Sequence, residues 1–144
     1  MTQARFLKTP KTQLWRCICE LALEGHEKHL PAVLTAPDEA QARFLDDLLW
    51  TWRQESFVPH LYWEGASEAD RALVGRLSAL ITTSGANPAR FSRIILGAPA
   101  PAATLGGYEE IVDFVIDDDD EAKEAARRRF RDYRELGFSP RLEP

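Results

Sequence analysis

The stretch IVDFVIDDDDEAKEAARRRF, residues 111–130, contains the strand-to-helix unit that decides the fold class. Its first six residues are mostly apolar, which is typical of a strand that is buried on both faces of a sheet. Four aspartates follow at residues 117–120, and carboxylates at a helix start cap free amides and complement the helix dipole. The stretch therefore predicts a strand at residues 111–116 and a helix at residues 121–136.

Similar apolar segments recur toward the amino terminus. Further strands are predicted at residues 4–7, 32–35, 77–82 and 93–96. One helix is predicted with Thr9 as its cap, just before Pro10, and with Gly25 at its end. Another begins near Asp38. Short apolar strands that alternate with helices favour a mostly parallel sheet of about five strands with helices on both faces. We therefore expect one α/β domain over residues 1–144, with a Rossmann-like topology that lacks a nucleotide site.

The composition narrows the functional classes. The 144 residues carry 18 basic and 23 acidic side chains, a net charge of −5, and 44% of them are hydrophobic. That balance is typical of a globular protein, and an acidic chain has no overall field that would draw it to nucleic acid. No apolar run approaches the roughly 20 residues of a membrane-spanning helix, and the first residues lack the pattern of a signal peptide. With Cys17 and Cys19 as the two thiols, we expect a cytoplasmic protein whose contact with DNA is mainly indirect.

The usual chemical motifs are missing from the sequence. Neither GxGxxG nor GxxxxGKS/T occurs, and these glycine patterns are what bring backbone amides close to a phosphate. His26 and His29 are three residues apart, whereas a zinc-protease helix needs two histidines four apart. The aspartates of residues 117–120 lack the spacing and the glycine of a calcium loop. We therefore predict no catalytic residue, no metal site and no cofactor.

The charges around the last predicted helix are strongly segregated. Residues 109–121 contain eight acids and no base, whereas residues 123–134 contain six bases and two acids. At 100° per residue, Lys123 and Phe130 lie within about 20° of each other, and Arg127 lies about 40° further round. One interpretation is a solvated basic face. The other is a socket for an acidic peptide that ends in an apolar side chain or a free carboxylate. The core face of the helix would carry Ala122, Ala126 and Tyr133.

Aromatic residues are concentrated before the middle of the chain. Five of the 14 aromatics lie within 14 residues: Trp50, Trp52, Phe57, Tyr62 and Trp63. Large aromatic side chains supply much of the energy of protein–protein contacts when they are desolvated there. They also fill protein cores. The sequence leaves both interpretations open.

Four short blocks carry a resemblance to a known family. They are LDDLLW at residues 45–50, ESFVPH at 55–60, IVDFV at 111–115 and YRELGF at 133–138. These blocks resemble the chi subunit of bacterial DNA polymerase III in their residues, their order and their separation. The resemblance implies an α/β subunit of the clamp-loader complex that acts in DNA replication and has no catalytic activity of its own.

The resemblance also implies partners. Chi subunits pair with the psi subunit and bind the acidic C-terminal tail of single-stranded DNA-binding protein (SSB), which ends in Pro-Phe. By motif, the tail-binding residues would be Lys123, Arg127, Phe130 and Val115, with Arg131 nearby. Trp50 and Phe57 match the contact with psi, and with a helicase that competes for that surface in some bacteria. The alternative is a small α/β enzyme or binding module for a phosphorylated metabolite, with the basic helix as its anion site.

Overall fold

Seven parallel strands form one sheet in the computed structural model, which describes residues 1–53 and 57–143. The strands are β1 (Gln3–Thr9), β2 (Ala32–Thr35), β3 (His60–Tyr62), β4 (Ala79–Thr82), β5 (Arg93–Leu96), β6 (Glu110–Ile116) and β7 (Ser139–Glu143). Their order across the sheet is β3-β4-β2-β5-β6-β1-β7, and every neighbouring pair is parallel.

Helices cover both faces of this sheet. They are α1 (Leu14–Glu27), α2 (Glu39–Thr51), the short α3 (Glu68–Arg71) and α4 (Asp120–Glu135). The apolar sides of α1 and α2 pack in one core cluster with Leu34, Ile95 and Val112 of the central strands. Ala126 and Tyr133 of α4 pack in a second cluster, on the other face. The predicted α/β class with a parallel sheet is confirmed.

The prediction of five strands is wrong because both edge strands were missed. β3 has three residues and β7 contains Pro140, which lacks an amide to donate to a sheet ladder. Ser139, Arg141 and Leu142 of β7 are also exposed, so the strand has no continuous apolar run. An edge strand has one neighbour, and it therefore needs less of the pattern that marks a buried strand.

The start and the end of the first helix also differ from the prediction. Thr9 is the last residue of β1, and a 3₁₀ turn at Lys11–Gln13 precedes α1. The helix continues two residues beyond Gly25, which is buried. A Cβ atom at Gly25 would lie 2.6 Å from the carbonyl oxygen of Leu30. Gly25 therefore does not end the helix. Its lack of a side chain lets the chain after the helix pass close to it.

Aspartates cap the two other long helices, close to the predicted start of each. Asp38 accepts a hydrogen bond from the Gln41 amide at 2.8 Å, at the start of α2. Asp119 accepts one from the Ala122 amide at 3.1 Å, at the start of α4. Each cap satisfies one of the amides that a helix start leaves free.

The loop after β5 contacts the carboxyl end of β2. The chain leaves these two neighbouring strands in opposite directions, and nucleotides commonly bind α/β sheets at such a point. Here the Thr35 hydroxyl donates to the Ala98 carbonyl at 3.2 Å and accepts from the Ala98 amide at 3.2 Å. A Cβ atom at Gly97 would lie 2.6 Å from the ring of Trp15. These contacts bring the loop after β5 close to the carboxyl end of β2 and to Trp15.

Candidate binding surfaces

A buried charged network fixes α4 against β6. Arg129 donates to both carboxylate oxygens of Asp113, from Nε at 2.9 Å and from Nη2 at 3.1 Å. The Tyr133 hydroxyl donates to the same carboxylate at 2.8 Å. Burial, reinforced by the Asp113 charge, raises the pKa of Tyr133, which keeps this hydroxyl protonated. One of the six bases near α4 is therefore structural, and the network sets which face of the helix turns outward.

The end of α4 is shaped so that β7 can follow at once. Gly137 has a positive φ of 85°, a conformation that glycine adopts without steric cost. Its amide donates to the Arg134 carbonyl at 3.0 Å, and the Phe138 amide donates to the Tyr133 carbonyl at 2.9 Å. This is the pair of bonds of a Schellman motif, and the Phe138 ring packs 5.9 Å from that of Tyr133. The turn delivers β7 to the free side of β1.

A groove of about 470 Å³ runs between α4 and the strands beneath it, and we call it the α4 groove. It is lined by Phe6 and Lys8 of β1, Val115 of β6, Leu142 of β7, and Lys123, Ala126, Arg127 and Phe130 of α4. The rings of Phe6 and Phe130 lie 5.4 Å apart and form its apolar floor. Cationic side chains therefore surround an apolar floor that is open to solvent.

The two α4 cations of the groove each have an acidic neighbour one turn earlier. Lys123 Nζ lies 3.4 Å from Asp120 Oδ1, and Arg127 Nη1 lies 3.1 Å from Glu124 Oε2. The Asp120 side chain is fully exposed and that of Arg127 is 72% exposed. Exposed pairs of this kind contribute about 0–1 kcal/mol, so a ligand carboxylate can replace the acids.

The groove brings together four of the five residues predicted for tail binding: Val115, Lys123, Arg127 and Phe130. Arg131 is exposed on α4 and is not among the groove-lining residues. The sequence interpretation missed Phe6, Lys8 and Leu142. The alternation of β1 places Phe6 and Lys8 on one face, but nothing in the sequence places that face under α4.

The aromatic residues of the middle segment divide into two groups. Tyr62 is buried and Trp52 and Trp63 are half-buried, so these three contribute to the core. Trp50 and Phe57 are 57% and 56% exposed, and their ring centroids lie 5.3 Å apart.

The buried His60 lies against one of these two rings, that of Trp50. Its ring is 4.8 Å from that of Trp50 and is held by the Val58 carbonyl at 2.7 Å. We call Trp50, Phe57 and His60 the aromatic patch. Glu55 and Ser56 of the ESFVPH block lie outside the described residues.

Other predicted features have ordinary structural roles. His26 Nδ1 lies 2.6 Å from the Ser78 hydroxyl. Cys19 is buried, and burial raises the pKa of its thiol to about 12. Within residues 1–53 and 57–143 there is no cluster of three potential metal ligands, and no helix has the length and hydrophobicity to cross a bilayer.

The comparisons with known proteins agree with the four blocks. The family model described as DNA polymerase III chi subunit, HolC, matches residues 1–141. The chain belongs to this family. It is 31% identical over 120 residues to DNA polymerase III subunit chi of Pseudomonas aeruginosa, which covers 83% of this chain and 78% of that protein. It is 32% identical over 122 residues to the chi subunit of Escherichia coli K12, which covers 85% and 79%. The chain is thus an accessory subunit in DNA replication, of a family that is not itself catalytic.

Solved structures of low identity share the fold. The C-terminal domain of S. cerevisiae Dbp5, bound to Gle1 and IP6, has a TM-score of 0.63 at 15% identity, covering 99% of this chain and 90% of that chain. A second structure of the C-terminal domain of the DEAD-box protein Dbp5 has a TM-score of 0.58 at 15% identity, with the same coverage. At this identity the likeness concerns the α/β architecture alone.

Proposed function

We propose that this chain links SSB-coated template to the DNA polymerase III clamp-loader complex by binding the C-terminal tail of SSB in the α4 groove. The observation that carries the proposal is the convergence of two cations, Lys123 and Arg127, on an apolar floor formed with Phe130. The tail is an acidic peptide with an apolar last residue and a free carboxylate. Each of these properties has a counterpart in the groove.

The expected affinity is modest. Burial of the terminal phenylalanine against Phe6, Val115 and Phe130 is worth roughly 1–3 kcal/mol. Charge-assisted hydrogen bonds contribute about 1.5–3 kcal/mol each when well formed, and less for exposed groups. Association costs several kcal/mol of lost freedom, so we expect a Kd in the micromolar range, on the order of 1–100 μM.

Calorimetry with peptides tests this proposal on the native chain. A tail peptide that ends in Pro-Phe should bind, a peptide without the final phenylalanine should bind about tenfold more weakly, and a scrambled acidic peptide should not bind measurably. Phosphorylated metabolites serve as the comparison for the alternative function. A rise in melting temperature with such a metabolite and none with the tail peptide would overturn the proposal.

The same proposal assigns the pairing with psi to the aromatic patch. Trp50 and Phe57 are large, exposed and in contact, and these are properties of the anchors that dominate protein interfaces. Trp50 contacts the buried His60 and Phe57 contacts Trp50, and these contacts limit the entropy that the two rings lose on binding. In bacteria where a helicase uses the psi surface, the patch would bind that helicase as well.

Co-elution with purified psi tests this assignment. Trp50→Ala should abolish the complex, whereas Phe44→Ala should preserve it, because Phe44 is a similarly exposed aromatic on α2 that does not belong to the patch. If both variants lost the complex with psi to the same extent, or if neither lost it, the patch would be rejected as the psi contact. Since the chain carries a net charge of −5, we expect its contact with DNA to pass mainly through these partners.

A further inference from the structure

We propose that Lys8, on β1, supplies the cation that binds the terminal carboxylate of the peptide in the α4 groove. This inference rests on the proposed tail-binding function and deepens it. In this assignment Lys8 binds the carboxylate at the end of the peptide. Lys123 and Arg127 of α4 bind the acidic side chains that precede it.

The position of Lys8 is set by the strand register. Lys8 pairs with Val115 of β6 across the sheet, and Phe6 lies two residues earlier on the same face of β1. All three side chains line the groove, together with Phe130 of α4. Lys8 therefore lines the groove beside Val115 and two residues beyond Phe6. A terminal phenylalanine that packs on these apolar side chains carries its carboxylate on the same residue, so a neighbouring lysine is the cation we expect to receive it.

The charges of the groove distinguish Lys8 from the helix cations. Lys123 and Arg127 each have a carboxylate oxygen within 3.4 Å, from Asp120 and Glu124. Over the part of the chain that the structure describes, Lys8 takes part in no salt bridge within 4.0 Å. A ligand must displace an acid to reach either α4 cation. It meets no such competitor at Lys8.

A free carboxylate and a carboxamide are the probes that isolate this contact. The two forms of one acidic, Phe-ended peptide differ by a single charge at the chain end, so the ratio of their affinities reports the cation that receives it. We expect the native chain to favour the free acid about fivefold, the scale of an exposed ion pair. In Lys8→Gln the ratio should fall to nearly one. Because Lys8 is exposed, the variant should keep the native melting temperature.

Lys123→Gln is the matched control. It should weaken both peptides by a similar factor and keep the acid-to-amide ratio, because Lys123 meets side-chain acids further back in the peptide. A ratio that persists in Lys8→Gln, or one that disappears in Lys123→Gln, would overturn the assignment while the groove remained the tail site. Failure of both peptides to bind the native chain would instead reject the tail site, and the role of Lys8 with it.

Discussion

The α4 groove and the aromatic patch both present aromatic side chains, but they hold them differently. Phe130 in the groove is half-buried and packs on Phe6, which is 1% exposed and belongs to the core. Trp50 and Phe57 in the patch are more than half exposed, and their rings pack against each other. An aromatic residue of the groove floor therefore contributes both to stability and to binding. The two exposed rings of the patch can contribute to binding alone.

The two surfaces also differ in charge. Three cations line the groove, and its ligand is expected to be anionic, so its affinity should fall as salt rises. The two exposed anchors of the patch carry no charge, and burial of such rings is largely insensitive to salt. The unfolding stability of variants and the salt dependence of binding are thus two independent measurements that distinguish the groove from the patch.

The largest expected effect lies beneath the groove. Asp113→Ala leaves the Arg129 guanidinium, whose side chain is 16% exposed, without its carboxylate. Loss of one partner of a buried pair is expected to lower the free energy of unfolding by about 3–5 kcal/mol. Urea denaturation measures this loss. Tyr133→Phe, which removes one hydrogen bond to the same carboxylate, should lower it by about 1 kcal/mol and remains measurable if the first variant does not fold.

Arg128→Ala is the control for that experiment, since Arg128 is exposed on the same helix. Its unfolding free energy should stay within about 0.5 kcal/mol of the native value. If Asp113→Ala lowered the free energy of unfolding no more than this control does, the buried network would not be what holds α4 in place.

The next effect concerns the groove itself. Phe130→Ala removes a half-buried ring from the floor, so we expect unfolding to become easier by about 2 kcal/mol, roughly half the value for a fully buried phenylalanine. The affinity for the tail peptide should fall about tenfold in the same variant. Denaturation and calorimetry on one preparation measure the two losses. A loss of binding with unchanged stability would remove the contrast between the two surfaces.

The sequence predicted the parts of the fold that depend on local patterns. β2 and β5 carry apolar side chains on both faces, and their predicted bounds agree with the observed Ala32–Thr35 and Arg93–Leu96. The aspartates before α4 placed its start within one residue. β3 and β7 lie at the sheet edges, where one neighbour suffices and the apolar pattern is weak. They could not be recognised for that physical reason.

The candidate sites divide along the same line. Lys123, Arg127 and Phe130 share a helix, so helical periodicity brings them together without knowledge of the fold. Lys8 and Leu142 reach the groove only because β1 lies between β6 and β7, an order that no local pattern encodes. Likewise, Phe57 is exposed and Tyr62 is buried although both belong to one aromatic segment. Which of them binds a partner depends on tertiary packing.

In the patch, Phe57→Ala is the experiment that corresponds to Phe130→Ala in the groove. Phe57→Ala should weaken the complex with psi by about 2 kcal/mol, the usual value for an interface anchor. Its unfolding free energy should change by no more than about 0.5 kcal/mol, because 56% of the side chain is already exposed. Fluorescence anisotropy with labelled psi and a thermal melt measure the two quantities. A collapsed melting temperature would show instead that Phe57 is a core residue.

The smallest effect is the one that charge alone produces. Arg127→Ala should weaken tail binding by about 1 kcal/mol near 0.1 M salt, where exposed charges are screened over about 10 Å. It should also flatten the decline of affinity with salt, because one cation has been removed from the groove. Glu124→Gln should change the affinity for the tail peptide in the opposite direction. It frees Arg127 from the acid that lies 3.1 Å away and should raise the affinity about twofold. Calorimetry over a series of salt concentrations measures both slopes. If neither variant changes the affinity or the slope, the cations of α4 form a solvated face, and the apolar floor alone would have to bind the tail.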